Sequence, residues 1–158
     1  MFSWRSIPVD DGTTKTKVGQ EVPAFAGKNV NGKKISIESL RGKVVLINFF
    51  ATWCGPCMKE LPAIEEEIWK PFKDQGLVVI AIGREHTVEE LRKFNREKKL
   101  SFDLIADPGR EIYGLFATQF IPRNVLVDKN GRILYQSVGY TREEFYSLQE
   151  HIRKALGR

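Results

Sequence analysis

Val44-Val45-Leu46-Ile47-Asn48-Phe49-Phe50-Ala51-Thr52-Trp53-Cys54-Gly55-Pro56-Cys57 runs from an apolar stretch into two cysteines two residues apart. The nearly unbroken β-branched and aromatic content of residues 44–50 is what a strand buried on both faces of a parallel sheet requires. Beyond the cysteines, Leu61, Ile64, Ile68 and Phe72 recur at three- and four-residue intervals, which predicts a helix with one apolar face beginning inside the cysteine motif. Pro62 is expected to kink that helix and Pro71 to end or bend it near Lys70.

Two cysteines so spaced at a strand-to-helix junction can close a disulfide. The first sits where unpaired backbone N–H groups gather positive potential, which favours its thiolate. The second lies one turn further into the helix, more shielded and open to attack from within. That asymmetry assigns Cys54 as the attacking sulfur and Cys57 as the resolving one. Gly55 and Pro56 let the chain turn sharply into the helix, proline being tolerated where no helical hydrogen bond is lost. Two buried or metal-binding cysteines are the alternative, since the spacing alone occurs in several contexts.

Working outward, the opening residues to about Gln20 are polar without a repeating apolar pattern, and read as a loose arm. Asn31-Gly32 followed by the alternation Lys34-Ile35-Ser36-Ile37 predicts an N-terminal hairpin. Leu77 to Ile82 reads as a strand, and Thr87-Val88-Glu89-Glu90 as a capping box opening a helix with Leu91 and Phe94. Phe102 to Ile105 predicts a short strand, and Gly109 to Phe116 a short helix with Ile112, Leu115 and Phe116 inward. Val125-Leu126-Val127 and Arg132-Ile133-Leu134-Tyr135 flank Asn130-Gly131, a strong hairpin signal. Thr141-Arg142-Glu143-Glu144, a second capping box, leads a last helix with Phe145, Leu148, Ile152 and Leu156 on one stripe. Strands alternating with helices and closing on a hairpin and a helix specify a mixed sheet covered on both faces.

The 158 residues suit one domain, and 42% apolar with 28% charged residues is ordinary for a soluble globular chain. The net charge of +5 is scattered. Its densest stretch, Lys93 to Lys99, reads as a solvated helix end rather than a nucleic-acid patch. The longest uncharged stretch, Val44 to Met58, falls short of the roughly 18 to 20 apolar residues that span a bilayer. Met1-Phe2-Ser3-Trp4-Arg5 lacks the pattern of a signal peptide, so the expectation is a cytosolic protein or one whose targeting segment is absent. Two cysteines are too few for a disulfide-dense secreted scaffold, and His86 and His151 stand in no zinc-ligand spacing, so no metal or other cofactor is expected. Met58 after the second cysteine excludes haem attachment.

On residues 44–57, on Pro62 five residues past Cys57, on Ile121-Pro122 before a hairpin strand and on the insert from about Ile82 to Phe116, the chain resembles the thioredoxin superfamily. Over about residues 20 to 156 it resembles, more narrowly, the TlpA/ResA-like thiol–disulfide oxidoreductases. The resemblance implies an α/β thioredoxin fold: a central mixed sheet flanked by helices, with an N-terminal hairpin and a central βα insertion. Residues 1–20 would form a flexible arm and 21–158 a single thioredoxin-like domain. A cis Ile121–Pro122 bond facing the cysteines is implied, with backbone groups free to hold a substrate segment as an added strand.

Trp53, Gly55, Pro56, Ile121 and Pro122 are thereby candidates for the substrate-facing surface. Pro122 as a plain trans proline at a sheet edge is the alternative. Glu60, at the position of the acid typical of ResA-like proteins and on the helical face of Cys57, is a candidate proton acceptor, against a plain surface glutamate. Asn48 lies where thioredoxin carries a buried aspartate and reads as a structural hydrogen-bonder. Arg123, His86 and His151 read as solvated or loosely packed.

The implied activity is thiol–disulfide exchange through a mixed disulfide, with disulfide- or thiol-containing proteins as substrates, a redox partner that recycles the dithiol, and a monomeric chain. An address in the cell envelope follows from the resemblance alone. A peroxiredoxin-like peroxidase would call for Pro at 47 and Thr or Ser at 51, where this chain has Ile47 and Ala51. A module in which the dithiol holds a soft metal or docks a partner is the other rival.

Overall fold

A computed structural model describes residues 12–158. The hairpin pairs β1 (Ala26–Lys28) with β2 (Lys34–Ser36), closed over Asn31-Gly32, where Gly32 takes φ +78. The run that opens the cysteine motif is β3 (Val44–Phe50), buried at all seven positions. Among the described residues it is the middle of a five-stranded sheet in the order β5-β4-β3-β6-β7, with β4 (Leu77–Arg84), β5 (Asp103–Asp107), β6 (Arg123–Val127) and β7 (Ile133–Val138). β3 runs parallel to β4, and β4 to β5, while β6 and β7 are antiparallel additions. The insert between β4 and β6 carries α3 (Val88–Lys98), β5 and α4 (Tyr113–Phe116). This is the thioredoxin fold with an N-terminal hairpin and a central insertion.

Side-chain alternation along β3 splits the core. Val44, Leu46 and Phe50 face α1 (Gly55–Ile64) and α5 (Arg142–Leu156), whereas Val45, Ile47 and Phe49 face the hairpin and α4. On the second side the Phe49 ring packs edge-on to Tyr113, with centroids 5.4 Å apart. Tyr113 is fully buried and Leu115 is 42% exposed, so the short helix turns a different face inward than its apolar spacing implies. The cause is Asp107, whose buried carboxylate accepts the Ile112 and Tyr113 N–H groups and fixes the helix from its start.

The helix after the cysteines runs on through Pro62, and its last α-helical turn ends at Phe72, one residue past Pro71 and close to the end or bend expected there. Residues Glu65–Trp69 widen into a π turn in which the Lys70 N–H reaches the Glu65 carbonyl, and α2 (Lys70–Phe72) continues it. Pro71 has no N–H to give the Glu67 carbonyl. That carbonyl instead accepts the Gln149 side-chain amide of α5 at 3.2 Å, so the missing helical bond becomes a tertiary one. The first capping box is complete. At the second, the Thr141 hydroxyl caps α5 but the Glu144 carboxylate accepts the Tyr135 hydroxyl at 2.6 Å instead of closing the box.

Residues 1–11 of the expected loose arm lie outside the described residues. Over residues 12–20 the expectation is corrected, for this segment is docked. Lys15 N donates to the Phe116 carbonyl and Thr118 N to that of Thr13, while Gly19 N and Ile133 N exchange bonds with the Ile133 and Gln20 carbonyls. The reason is that the start of the edge strand β7 and the turn after α4 both leave backbone groups that need partners, and a polar segment without side-chain periodicity can still supply them.

At Gly83 α3 packs closely on β4. A Cβ there would stand 2.7 Å from Cδ2 of Leu91, which is fully buried, so a core side chain or the backbone would have to shift. Gly83→Ala is expected to destabilise the protein by about 1 to 3 kcal/mol through overpacking, read as a lower urea midpoint. An unchanged midpoint would contradict the close approach.

Candidate active site

The strand ends at Phe50, the chain turns through Ala51-Thr52-Trp53, and Cys54 is the N-cap of α1 with extended backbone (φ −86, ψ 114). Gly55 and Pro56 occupy the first turn, where helical N–H groups have no partner inside the helix. The Cys57 N–H is aimed at Cys54 Sγ at 3.3 Å. Cys54 and Cys57 are joined by a disulfide, with Cα atoms 5.2 Å apart. Cys57 is completely buried and Cys54 is 6% exposed, which orders the two sulfurs as outer and inner. When the bond is reduced, the N–H and the helix terminus favour negative charge on the outer sulfur.

Opposite stands the loop before β6. The Ile121–Pro122 peptide bond is cis, and the Ile121 carbonyl oxygen lies 3.9 Å from Cys54 Sγ. Its shape is enforced by the residue before it. Phe120 has φ +78, a left-handed conformation that costs a bulky residue about 1 to 3 kcal/mol, and its carbonyl accepts both the Tyr113 hydroxyl (2.7 Å) and Arg123 Nε (3.1 Å). Arg123 is therefore no solvated residue. It is 3% exposed and its other nitrogens donate to Thr13, Thr14 and the Gln119 carbonyl. The expectation is corrected because the docked segment 12–20 covers it.

Glu60 is not a surface glutamate either. It is 2% exposed on the inner face of α1, one turn past Cys57. Its Oε1 accepts Asn48 Nδ2 and its Oε2 accepts Asn124 Nδ2, both at 2.9 Å. Asn48 and Asn124 face each other across the β3–β6 register, and Asn48 Nδ2 also donates to Asn124 Oδ1 at 3.0 Å. Burial disfavours the carboxylate and pushes its pKa from 4.5 up to about 7, while the two amide bonds partly hold it down. The acid thus titrates near neutrality under the inner cysteine.

His86 is not a loosely packed surface residue either. It is buried, its Nε2 accepts the Thr52 backbone N–H at 3.0 Å, and its Nδ1 lies 3.6 Å from a Glu90 oxygen. Capping of α3 by Thr87 pins the turn that carries it, so a residue with no motif context holds the loop leading to the cysteines. His86→Leu is expected to leave the Thr52 N–H unpaired at a cost of about 1 to 3 kcal/mol, measured by urea unfolding; His86→Gln, which keeps an acceptor, should recover part of it. His151 is half-buried, with its ring centroid 4.4 Å from that of Tyr135.

Trp53 is 69% exposed beside the disulfide, with the Arg84 guanidinium 5.7 Å from its ring centroid. Asn124 and Arg84 went unread in the sequence. The available signal was a polar residue inside an apolar strand for the first, and a charge at the carboxyl end of a parallel strand for the second. Among the described residues no helix is long and apolar enough to cross a membrane.

A disulfide across a strand-to-helix turn, the outer sulfur capping the helix and a cis-proline loop facing it, in this sheet order, defines a thioredoxin-fold thiol–disulfide oxidoreductase. The model of the AhpC/TSA family matches residues 18–136. The chain is 33% identical over 140 residues to the thiol-disulfide oxidoreductase ResA of Bacillus thuringiensis, covering 89% of this chain and 79% of that protein. A Bacteroides thetaiotaomicron protein whose solution structure carries a provisional protein disulfide isomerase designation superposes with a TM-score of 0.88 at 36% identity, over 92% of this chain and 94% of that one. A thiol:disulfide interchange protein of Chlorobium tepidum shares the fold at a TM-score of 0.74 and 24% identity, over 89% and 99% of the two chains. The chain belongs to the ResA/TlpA-like thiol–disulfide oxidoreductases within the AhpC/TSA family. It exchanges disulfides with thiol- or disulfide-bearing protein substrates through a dithiol/disulfide cycle.

Proposed function

We propose that this protein is a reductant of protein disulfides, acting as a monomer in the cell envelope and re-reduced there by a separate dithiol protein. The exchange chemistry is carried by one observation, the Cys57 N–H directed at Cys54 Sγ at the start of α1. In the reduced protein the Cys54 thiolate attacks one sulfur of a substrate disulfide. A Cys54–substrate disulfide forms and the first substrate thiolate leaves and takes up a proton. Cys57, having lost its proton to Glu60, then attacks Cys54 Sγ, releasing the second substrate thiolate and closing Cys54–Cys57. Two electrons pass from the dithiol to the substrate. Trp53, Gly55, Pro56, Ile121 and Pro122 form the surface on which the substrate segment rests.

The reducing direction is supported by Gly55-Pro56, the dipeptide of thioredoxin, whose potential is roughly −270 mV against roughly −120 mV for the oxidant DsbA. The envelope address is supported by the resemblance to TlpA/ResA-like proteins. Equilibration of Cys54–Cys57 against dithiothreitol and glutathione buffers, read by thiol alkylation, is expected to give a reversible two-electron couple nearer the thioredoxin value. A couple nearer the DsbA value would overturn the reductant assignment.

A further inference from the structure

Beside the disulfide lies a groove of about 480 Å³ lined by Trp53, Arg84, Arg110, Phe120 and Ile121, among others. Its chemistry is uneven. Two guanidiniums border it, both about 5 Å from the Tyr113 ring centroid, Arg84 at 5.0 Å and Arg110 at 5.2 Å. A single carboxylate, Glu85, stands against both, 3.8 Å from Arg84 Nε and 3.3 Å from Arg110 Nη1. Arg110 is tied further to the Thr118 carbonyl at 2.8 Å. Arg84 is the exception. It is 9% exposed, and its Nε is buried with no hydrogen-bond partner among the described residues. An arginine held between Trp53 and Tyr113 that makes no hydrogen bond among the described residues, and has Glu85 only at 3.8 Å, is a fork awaiting an acceptor, and a carboxylate is the acceptor its planar geometry matches. The same groove carries exposed apolar surface, Trp53 at 69% and Phe120 at 39%, within reach of a chain lying along the Ile121 loop.

We infer that this groove selects substrate polypeptides that carry an acidic side chain close to the disulfide cysteine, Arg84 and Arg110 receiving the carboxylate while the peptide lies on Trp53 and Phe120. This assignment rests on the reductase reading above and specifies its substrate class. Like charge in the same position meets the guanidiniums and is rejected, so the pair discriminates as well as binds.

The test uses two disulfide-bridged peptides, identical but for glutamate or glutamine flanking the cysteines, and single-turnover reduction by the pre-reduced full chain, followed by acid quench and alkylation. The glutamate peptide is expected to be reduced about tenfold faster, the effect of one charge-assisted hydrogen bond. In Arg110→Gln, and independently in Arg84→Lys, which keeps the charge and loses the fork, that ratio should fall toward one. Lys154→Gln makes the same change in net charge on the exposed side of the last turn of α5, and should keep the ratio. A ratio near one in the unmodified protein, or a ratio that survives Arg110→Gln, or one that Lys154→Gln lowers as much as Arg110→Gln does, overturns the inference while leaving the reductase intact. Reduction of neither peptide removes the reductase reading, and the inference falls with it.

Discussion

Cys57→Ser is expected to abolish turnover and to accumulate a stoichiometric covalent adduct between Cys54 and its substrate. The outer sulfur keeps its position as N-cap of α1 and keeps the Cys57-position N–H, so its attack on a disulfide is unimpaired. What is lost is the buried nucleophile that releases the mixed disulfide from within, since no other cysteine exists in the chain. Cys54→Ser should lose turnover and the adduct together, because Cys57 is completely buried and cannot reach a protein-sized substrate. Non-denaturing incubation with a disulfide-bonded protein, then mass measurement under non-reducing conditions, separates the two. Turnover persisting in Cys54→Ser would reverse the assignment of the sulfurs.

Glu60→Gln should change both rate and the pH dependence of stability. A base titrating at about 7 beneath the inner cysteine is matched to taking a proton near neutral pH, and its removal is expected to slow resolution of the mixed disulfide about 100-fold. The stability effect has a definite sign. Glu60 is raised in the folded state, from 4.5 to about 7, so between those values the folded protein holds a proton that the unfolded chain releases. Stability therefore falls as pH rises through that window, by about 3 kcal/mol in all. Below about 4.5 the penalty is absent, and above about 7 it is fully present. The glutamine side chain carries no such penalty, so urea midpoints of the variant should lose this component of the decline between pH 5 and 8. The amide mismatch it introduces against Asn48 and Asn124 costs only about 1 kcal/mol and does not vary with pH. A variant whose midpoint keeps the full decline would show that Glu60 is not the buried acid responsible.

Much of this architecture was legible along the chain. Residues 44–50 announced a buried strand by composition, and the cysteine spacing at its end announced the site, because both signals are local. Period-2 and period-3.6 patterns located the hairpins and the long helices for the same reason. Pro71 was legible as the place where the helix bends or ends, and its α-helical turn does end one residue later, at Phe72; what the sequence did not show is the partner of the carbonyl it frees. Whether a freed carbonyl finds another donor depends on what packs beside it, and here Gln149 arrives from a segment 82 residues away.

The chain order alone thus determined the nucleophile, its partner and the sheet that presents them. Tertiary structure decided the protonation chemistry and the selectivity. Glu60 becomes an acid titrating near neutrality only because the fold buries it on the inner face of α1, where Asn48 and Asn124, far apart in sequence, meet across two strands as its hydrogen-bond donors and hold its pKa partly down. His86, Arg84 and Arg123 look like surface residues until the fold buries them against Thr52, Trp53 and the docked segment 12–20. Burial and partnership are properties of contacts between distant segments, and a polar residue carries no local mark of whether water or protein will surround it.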